Sequence, residues 1–142
     1  MVQELAERCK SAWEMSRELR PHWTGYLVLD EKMVSVAGRQ QWFYGAFDTT
    51  GDVVHWGAVK ELTVGEAVQF VEEAKALRYP CRGIVTDLDT VLTRAVEEVY
   101  GEKPHQYCLK HALAVVDRIL AYSNDGSKPS RAFSIALQQS RT

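Results

Sequence analysis

Two short apolar runs, Gly25-Tyr26-Leu27-Val28-Leu29-Asp30 and Gly83-Ile84-Val85-Thr86-Asp87, each end in an aspartate. Runs of this length, rich in β-branched and aliphatic residues and bounded by glycine, read as buried strands. A buried strand that ends in a carboxylate delivers that group to the end of a sheet. If the two strands are parallel neighbours, Asp30 and Asp87 come within reach of one divalent cation.

The rest of the chain must therefore build a sheet around these two strands. Apolar residues at three- and four-residue spacing predict an amphipathic helix over residues 2–19, closed by Arg20-Pro21. Strands follow at 25–31, with 34–36 as an extension after a bend, at 41–48 and at 52–60, the last two joined by Thr49-Thr50-Gly51. Thr63 and Glu66 form a capping-box pattern ahead of a helix that runs to about Arg78, where Tyr79-Pro80 stops it. A strand at 82–86, a helix at 90–100, a strand at 105–108 and a helix at 109–122 complete the core. A loop over 123–130 and the start of another helix at 131–139 follow.

Three antiparallel strands followed by helix, strand, helix, strand and helix are most simply satisfied by a mixed five-stranded sheet. Right-handed crossovers then make the later strands parallel to the first. The predicted organisation is an amphipathic linker helix at 1–21, a core at 22–122, and a loop with the start of a further helix at 123–142.

Composition narrows the function classes. With 46% hydrophobic and 10% aromatic residues, the 142-residue chain can bury an ordinary single core. No apolar stretch nears the roughly 20 residues that span a bilayer, and the amino terminus lacks a signal-peptide pattern. The expectation is a soluble intracellular protein with no membrane partner, in cytoplasm or nucleoid if bacterial. Cys9, Cys81 and Cys108 are odd in number and widely spaced, which predicts reduced thiols. Residues 21–100 carry seven basic and twelve acidic side chains, whereas 101–142 carry six and three. An acidic middle suits cation binding, and the basic end could face a polyanion.

This order of elements resembles the ribonuclease H-like catalytic fold, and within it the DDE transposases of the Mutator type and their bacterial insertion-sequence relatives. The residues that carry the resemblance are Leu29-Asp30, Ala46-Phe47-Asp48-Thr49-Thr50-Gly51-Asp52, Val85-Thr86-Asp87 and Gln106-Tyr107-Cys108-Leu109-Lys110-His111. They extend over roughly Trp23 to Leu120. The resemblance implies that Asp30 and Asp87 are catalytic ligands of a two-metal Mg²⁺ or Mn²⁺ site acting on DNA phosphodiesters. It implies DNA partners, both transposon ends and target, and a homo-oligomer in the transposition complex. Cys108 and His111 are implied to be structural or adjacent to the site.

The family pattern has a third carboxylate, a glutamate on a later helix, and no glutamate follows Glu102 here. Asp117 is the only acid on that helix, and a solvated helical charge is its simpler reading. The family commonly shows a glycine after the second aspartate, where this chain has Leu88-Asp89, and Asp89 reads as the cap of the next helix. The resulting expectation is a piece of a longer transposase, inactive alone.

Three other readings attach to particular residues. His105, Cys108 and His111 have zinc-like spacing but no evident fourth ligand, so zinc is not expected. Asp87-Leu88-Asp89-Thr90-Val91-Leu92-Thr93 also resembles the nucleophile motif of haloacid dehalogenase phosphatases. That family needs a lysine and an acidic pair well downstream, and only 49 residues follow the motif here. A non-catalytic ribonuclease H-like module that binds DNA or protein is the alternative outside enzymology, with Trp23, Trp42, Trp56, Phe43, Tyr44 and Phe47 as stacking groups if exposed.

Overall fold

The structure, a computed structural model, describes residues 7–122. The helix expected at 131–139 lies outside that range. Elements run in the order α1 (Ala12–Leu19), β1 (Tyr26–Val36), β2 (Arg39–Asp48), β3 (Val53–Val59), α2 (Val64–Ala76), β4 (Gly83–Thr86), α3 (Thr90–Tyr100), β5 (His105–Tyr107) and α4 (Leu109–Tyr122). The strands form one sheet in the order β3-β2-β1-β4-β5. β1 is antiparallel to β2, β2 antiparallel to β3, and β1 parallel to β4. This is the mixed five-stranded α/β sheet flanked by helices that the sequence predicts.

Alternation along the strands sets the two faces. Leu27 and Leu29 on β1, Tyr44 and Ala46 on β2 and Ile84 on β4 are buried, together with Phe70 and Val71 of α2 and Leu92 and Val96 of α3. Each buried Leu, Ile, Val or Phe among them stabilises the fold by about 1.5–3 kcal/mol. A one-residue slip of β1 would turn this set outward, so the apolar pattern holds the register that also places Asp30.

Turns and caps follow local chemistry. Ala37 and Gly38 both have positive φ (50° and 76°), and this two-residue turn makes β1 and β2 a long hairpin. The expected bend inside the first strand is absent, and β1 runs unbroken to Val36. Asp89 caps α3, accepting from the backbone N–H of Val91 (2.7 Å) and Leu92 (3.1 Å). Thr63 caps α2 as expected, but Glu66 accepts instead from the backbone N–H of Lys60 (2.9 Å), so the capping box is only half formed.

The helix predicted over 2–19 is interrupted. Ser11 and Glu14 form a complete capping box that starts α1 afresh at Ala12. That helix is docked: Trp13 Nε1 donates to the Glu73 carbonyl (3.0 Å) and the buried Ser16 hydroxyl to the Val54 carbonyl (2.7 Å). No helix among the described residues is long and apolar enough to cross a membrane.

The chain divides into two compact units, one up to Gln106 and one from Tyr107. In the second, α4 buries Leu113 and exposes Leu109, Val115 and Ile119.

Candidate metal-binding site

The parallel pairing of β1 and β4 matches Tyr26 with Gly83, Leu27 with Ile84 and Val28 with Val85. The same offset carried two residues further brings Asp30 level with Asp87. Neighbouring strands lie about 4.8 Å apart, a spacing at which two carboxylates can share a cation. By alternation, Asp30 shares the face of Val28, away from buried Leu27 and Leu29, and it is exposed, whereas Asp87 is half-buried.

Both aspartates are held by short backbone bonds. Asp30 Oδ1 accepts from the Glu31 N–H (3.0 Å) and Asp87 Oδ1 from the Asp89 N–H (2.9 Å). Neither carboxylate has an ion-pair partner among the described residues. The peptide of Asp87 is further anchored, because the buried Thr86 hydroxyl donates to the Asp87 carbonyl (2.9 Å) and contacts His105 Nε2 (2.8 Å).

Glu31 belongs to the same neighbourhood. It lies opposite Tyr44 in the hairpin, and one of its carboxylate oxygens is buried with no hydrogen-bond partner. Burial, then the negative charges of Asp89, Asp87 and Asp30, push its carboxyl up to about 7. Tyr44 is fully buried with an unpartnered hydroxyl, and burial followed by the charges of Glu31, Asp89 and Glu66 pushes it up to about 12. Glu31 was absent from the sequence-level candidates, although alternation signalled it: Leu27, Leu29 and Glu31 occupy one face of β1.

The donor set fits a hard divalent cation. All four nearby acids are oxygen donors, an orphaned carboxylate oxygen lies among them, and none of them forms an ion pair among the described residues. No group of three or more His, Cys, Asp or Glu side chains positioned to hold a metal occurs among the described residues. Asp30 and Asp87 stand near Glu31 and Asp89, and among the described residues they are not joined into a three-ligand cluster.

The other sequence candidates have separate settings. Cys108 is half-buried and its carbonyl accepts from the Ala112 N–H (3.0 Å), while His111 and Asp117 are exposed on α4. His105 packs against the buried strand through Thr86. Asp48, part of the motif that carried the resemblance, is 2% exposed, and its carboxylate accepts from Thr24, Gly25, Thr50 and Tyr79. Those bonds commit it to structure.

No family model matches the sequence, and no curated protein matches it. Among solved structures, the chain is similar to a protein in the simian T-cell lymphotropic virus intasome in complex with PP2A regulatory subunit B56 gamma. The identity is 17%, covering 81% of this chain and 47% of that one, with a TM-score of 0.49. It is also similar to the HTLV-2 integrase catalytic core domain in complex with magnesium (trimeric form), at 14% identity over 81% of this chain and 82% of that one, TM-score 0.49. The chain thus spans about half the length of the first and four-fifths of the second.

Proposed function

We propose that this chain carries the core of a metal-dependent site for phosphodiester chemistry on DNA, of the DDE transposase kind, and that it needs a further carboxylate to act. The observation that supports the reading is the parallel register of β1 and β4, paired through Val28 and Val85, whose offset continued by two residues sets Asp30, midway along β1, beside Asp87, one residue past the end of β4. Bound Mg²⁺ or Mn²⁺ would supply Lewis-acid activation of an attacking oxygen and charge stabilisation of a departing one. Asp30 and Asp87 would hold such a cation, with the Asp89 N–H and the Thr86 hydroxyl orienting Asp87. The partners that follow are DNA ends and target, with several copies of the chain acting together.

A second reading is a ribonuclease H-like module that binds without cutting. It is favoured by the lack of a third ligand among the described residues.

Mn²⁺ binding to the full chain, followed by the electron paramagnetic resonance of the free ion, separates the two. Asp30→Ala and Asp87→Ala should each abolish binding with the circular dichroism of the fold retained. Binding that persists unchanged in both variants would overturn the metal site, and a wild-type chain that binds no Mn²⁺ would leave the non-catalytic module.

A further inference from the structure

The end of the sheet away from Asp30 and Asp87 holds a second feature of opposite charge. An open cleft of about 630 Å³ lies where α1 ends, α2 ends and the chain enters β1 and β4. Arg17, Arg20 and Arg78 line it, with His22 and Trp23, and no acidic residue does. All three arginines are exposed, and none forms an ion pair among the described residues. The guanidinium of Arg17 stands over the Trp13 ring at 5.1 Å, which steadies it at the cleft edge.

Two of these arginines occupy positions where the backbone favours glycine. Arg20 ends α1 at φ 45°, its N–H bonded to the Ser16 carbonyl (3.1 Å), and Arg78 follows α2 at φ 59°, its N–H bonded to the Lys75 carbonyl (3.0 Å). Such left-handed positions after a helix belong most often to glycine, and a side chain there costs roughly 1 kcal/mol. A cation near a helix C-terminus recovers part of that through the helix dipole. That effect does not require both arginines to converge on one acid-free cleft.

We infer that this cleft is a docking site for the phosphodiester backbone of duplex DNA, engaged by Arg17, Arg20 and Arg78. Charge complementarity carries the assignment: three exposed guanidiniums, none in an ion pair among the described residues, present forked donors matched to phosphate oxygens. Trp23 at the cleft precedes Asp30 by seven residues, and Pro80 precedes Asp87 by seven, so the cleft lies up to about 23 Å from the carboxylates at about 3.3 Å per residue. Phosphates recur every ~3.4 Å along each strand, so a duplex laid along the strands presents them to both places. The inference rests on the DNA part of the reading above and is independent of its metal.

The test is fluorescence anisotropy of a labelled duplex of arbitrary sequence with the full chain, in EDTA and over a range of salt. The double variant Arg20→Gly, Arg78→Gly removes two charges and relieves the backbone, so its thermal stability should equal or exceed that of the wild type. Its DNA affinity should fall, and the slope of log K against log salt should flatten by about 2. Arg17→Gln should add a further loss. Affinity and slope unchanged in the double variant would overturn the proposal, as would wild-type protein that binds no duplex. Protection by inorganic phosphate without duplex binding would also overturn it, leaving a small-anion site. Because EDTA removes cations, failure here is distinct from failure of the Asp30 and Asp87 site, which the Mn²⁺ measurement reads.

Discussion

The hydroxyl of Tyr79 donates to the carboxylate of Asp48, tying the segment ahead of β4 to the end of β2. Asp48 also accepts from the backbone N–H of Thr24 (3.0 Å), Gly25 (3.3 Å) and Thr50 (2.9 Å). Gly25 in turn offers its carbonyl to the Arg82 N–H (2.7 Å), at φ +91° and with the Pro80 carbonyl 2.4 Å from where a Cβ would sit. Only glycine fits there. One buried carboxylate thus joins the entries of β1 and β4, the two strands whose register levels Asp30 with Asp87.

That network makes acid stability sensitive to one bond. Burial alone would raise the Asp48 carboxyl, but the hydrogen bonds from Tyr79, Thr50 and Thr24 outweigh it and hold the group well below the usual carboxylate range. A depressed folded value gives stability that is full above the unfolded value near 4 and is lost as pH falls below it. Tyr79→Phe should cost about 1.5–3 kcal/mol at neutral pH, the range for a bond to a charged group, and should move the acid unfolding midpoint to higher pH. Urea melts across the acid range check this; an unshifted acid midpoint would show that Tyr79 does not hold Asp48 ionised.

Sequence reasoning succeeded where periodicity and burial coincide. The apolar alternation of Leu27, Leu29 and Ile84 is a strong signal because slipping it would expose a core, and it carries Asp30 and Asp87 with it. It was weaker where a polar group decides the outcome locally. The break at Ser11 depends on a capping box that competes with a continuous apolar stripe, and the Ala37-Gly38 turn depends on an alanine accepting positive φ. Glu31 was legible in principle by its face, but its raised pKa comes first from burial and then from Asp89 and Asp87, brought near by a crossover that spacing alone does not reveal.

Glu31 gives the opposite pH dependence to Asp48. Its folded carboxyl is pushed up to about 7 by burial and then by the surrounding aspartates, so the folded chain binds the extra proton between roughly pH 4.5 and 7. Stability from this group is present at the acid side and declines as pH rises through that window. Glu31→Gln removes the ionisation, and in metal-free buffer it should stabilise the protein at pH 8 by of the order of 1 kcal/mol, after discounting for solvent screening. The gain should vanish by pH 5. Thermal melts of both proteins at the two pH values check this, and a gain that does not depend on pH would contradict it.

The contact between Thr86 and His105 determines a tautomer. A carbonyl cannot donate, so the single hydroxyl proton of Thr86 goes to the Asp87 carbonyl at 2.9 Å. His105 Nε2, 2.8 Å from the same oxygen, must then supply its own proton. Burial lowers the His105 pKa, with Glu97 opposing, so the ring is neutral at pH 7 and protonated at Nε2. Nitrogen chemical shifts of labelled His105 should report that tautomer. Thr86→Val removes the bridge while keeping the side-chain volume, and takes the Thr86 oxygen away from the half-buried imidazole N–H. It should cost about 1–3 kcal/mol and convert His105 to a mixture of tautomers. It should also weaken Mn²⁺ binding, because the Asp87 peptide loses its anchor. A variant that loses stability yet binds Mn²⁺ as tightly as the wild type would confine Thr86 to the fold and separate His105 from the site.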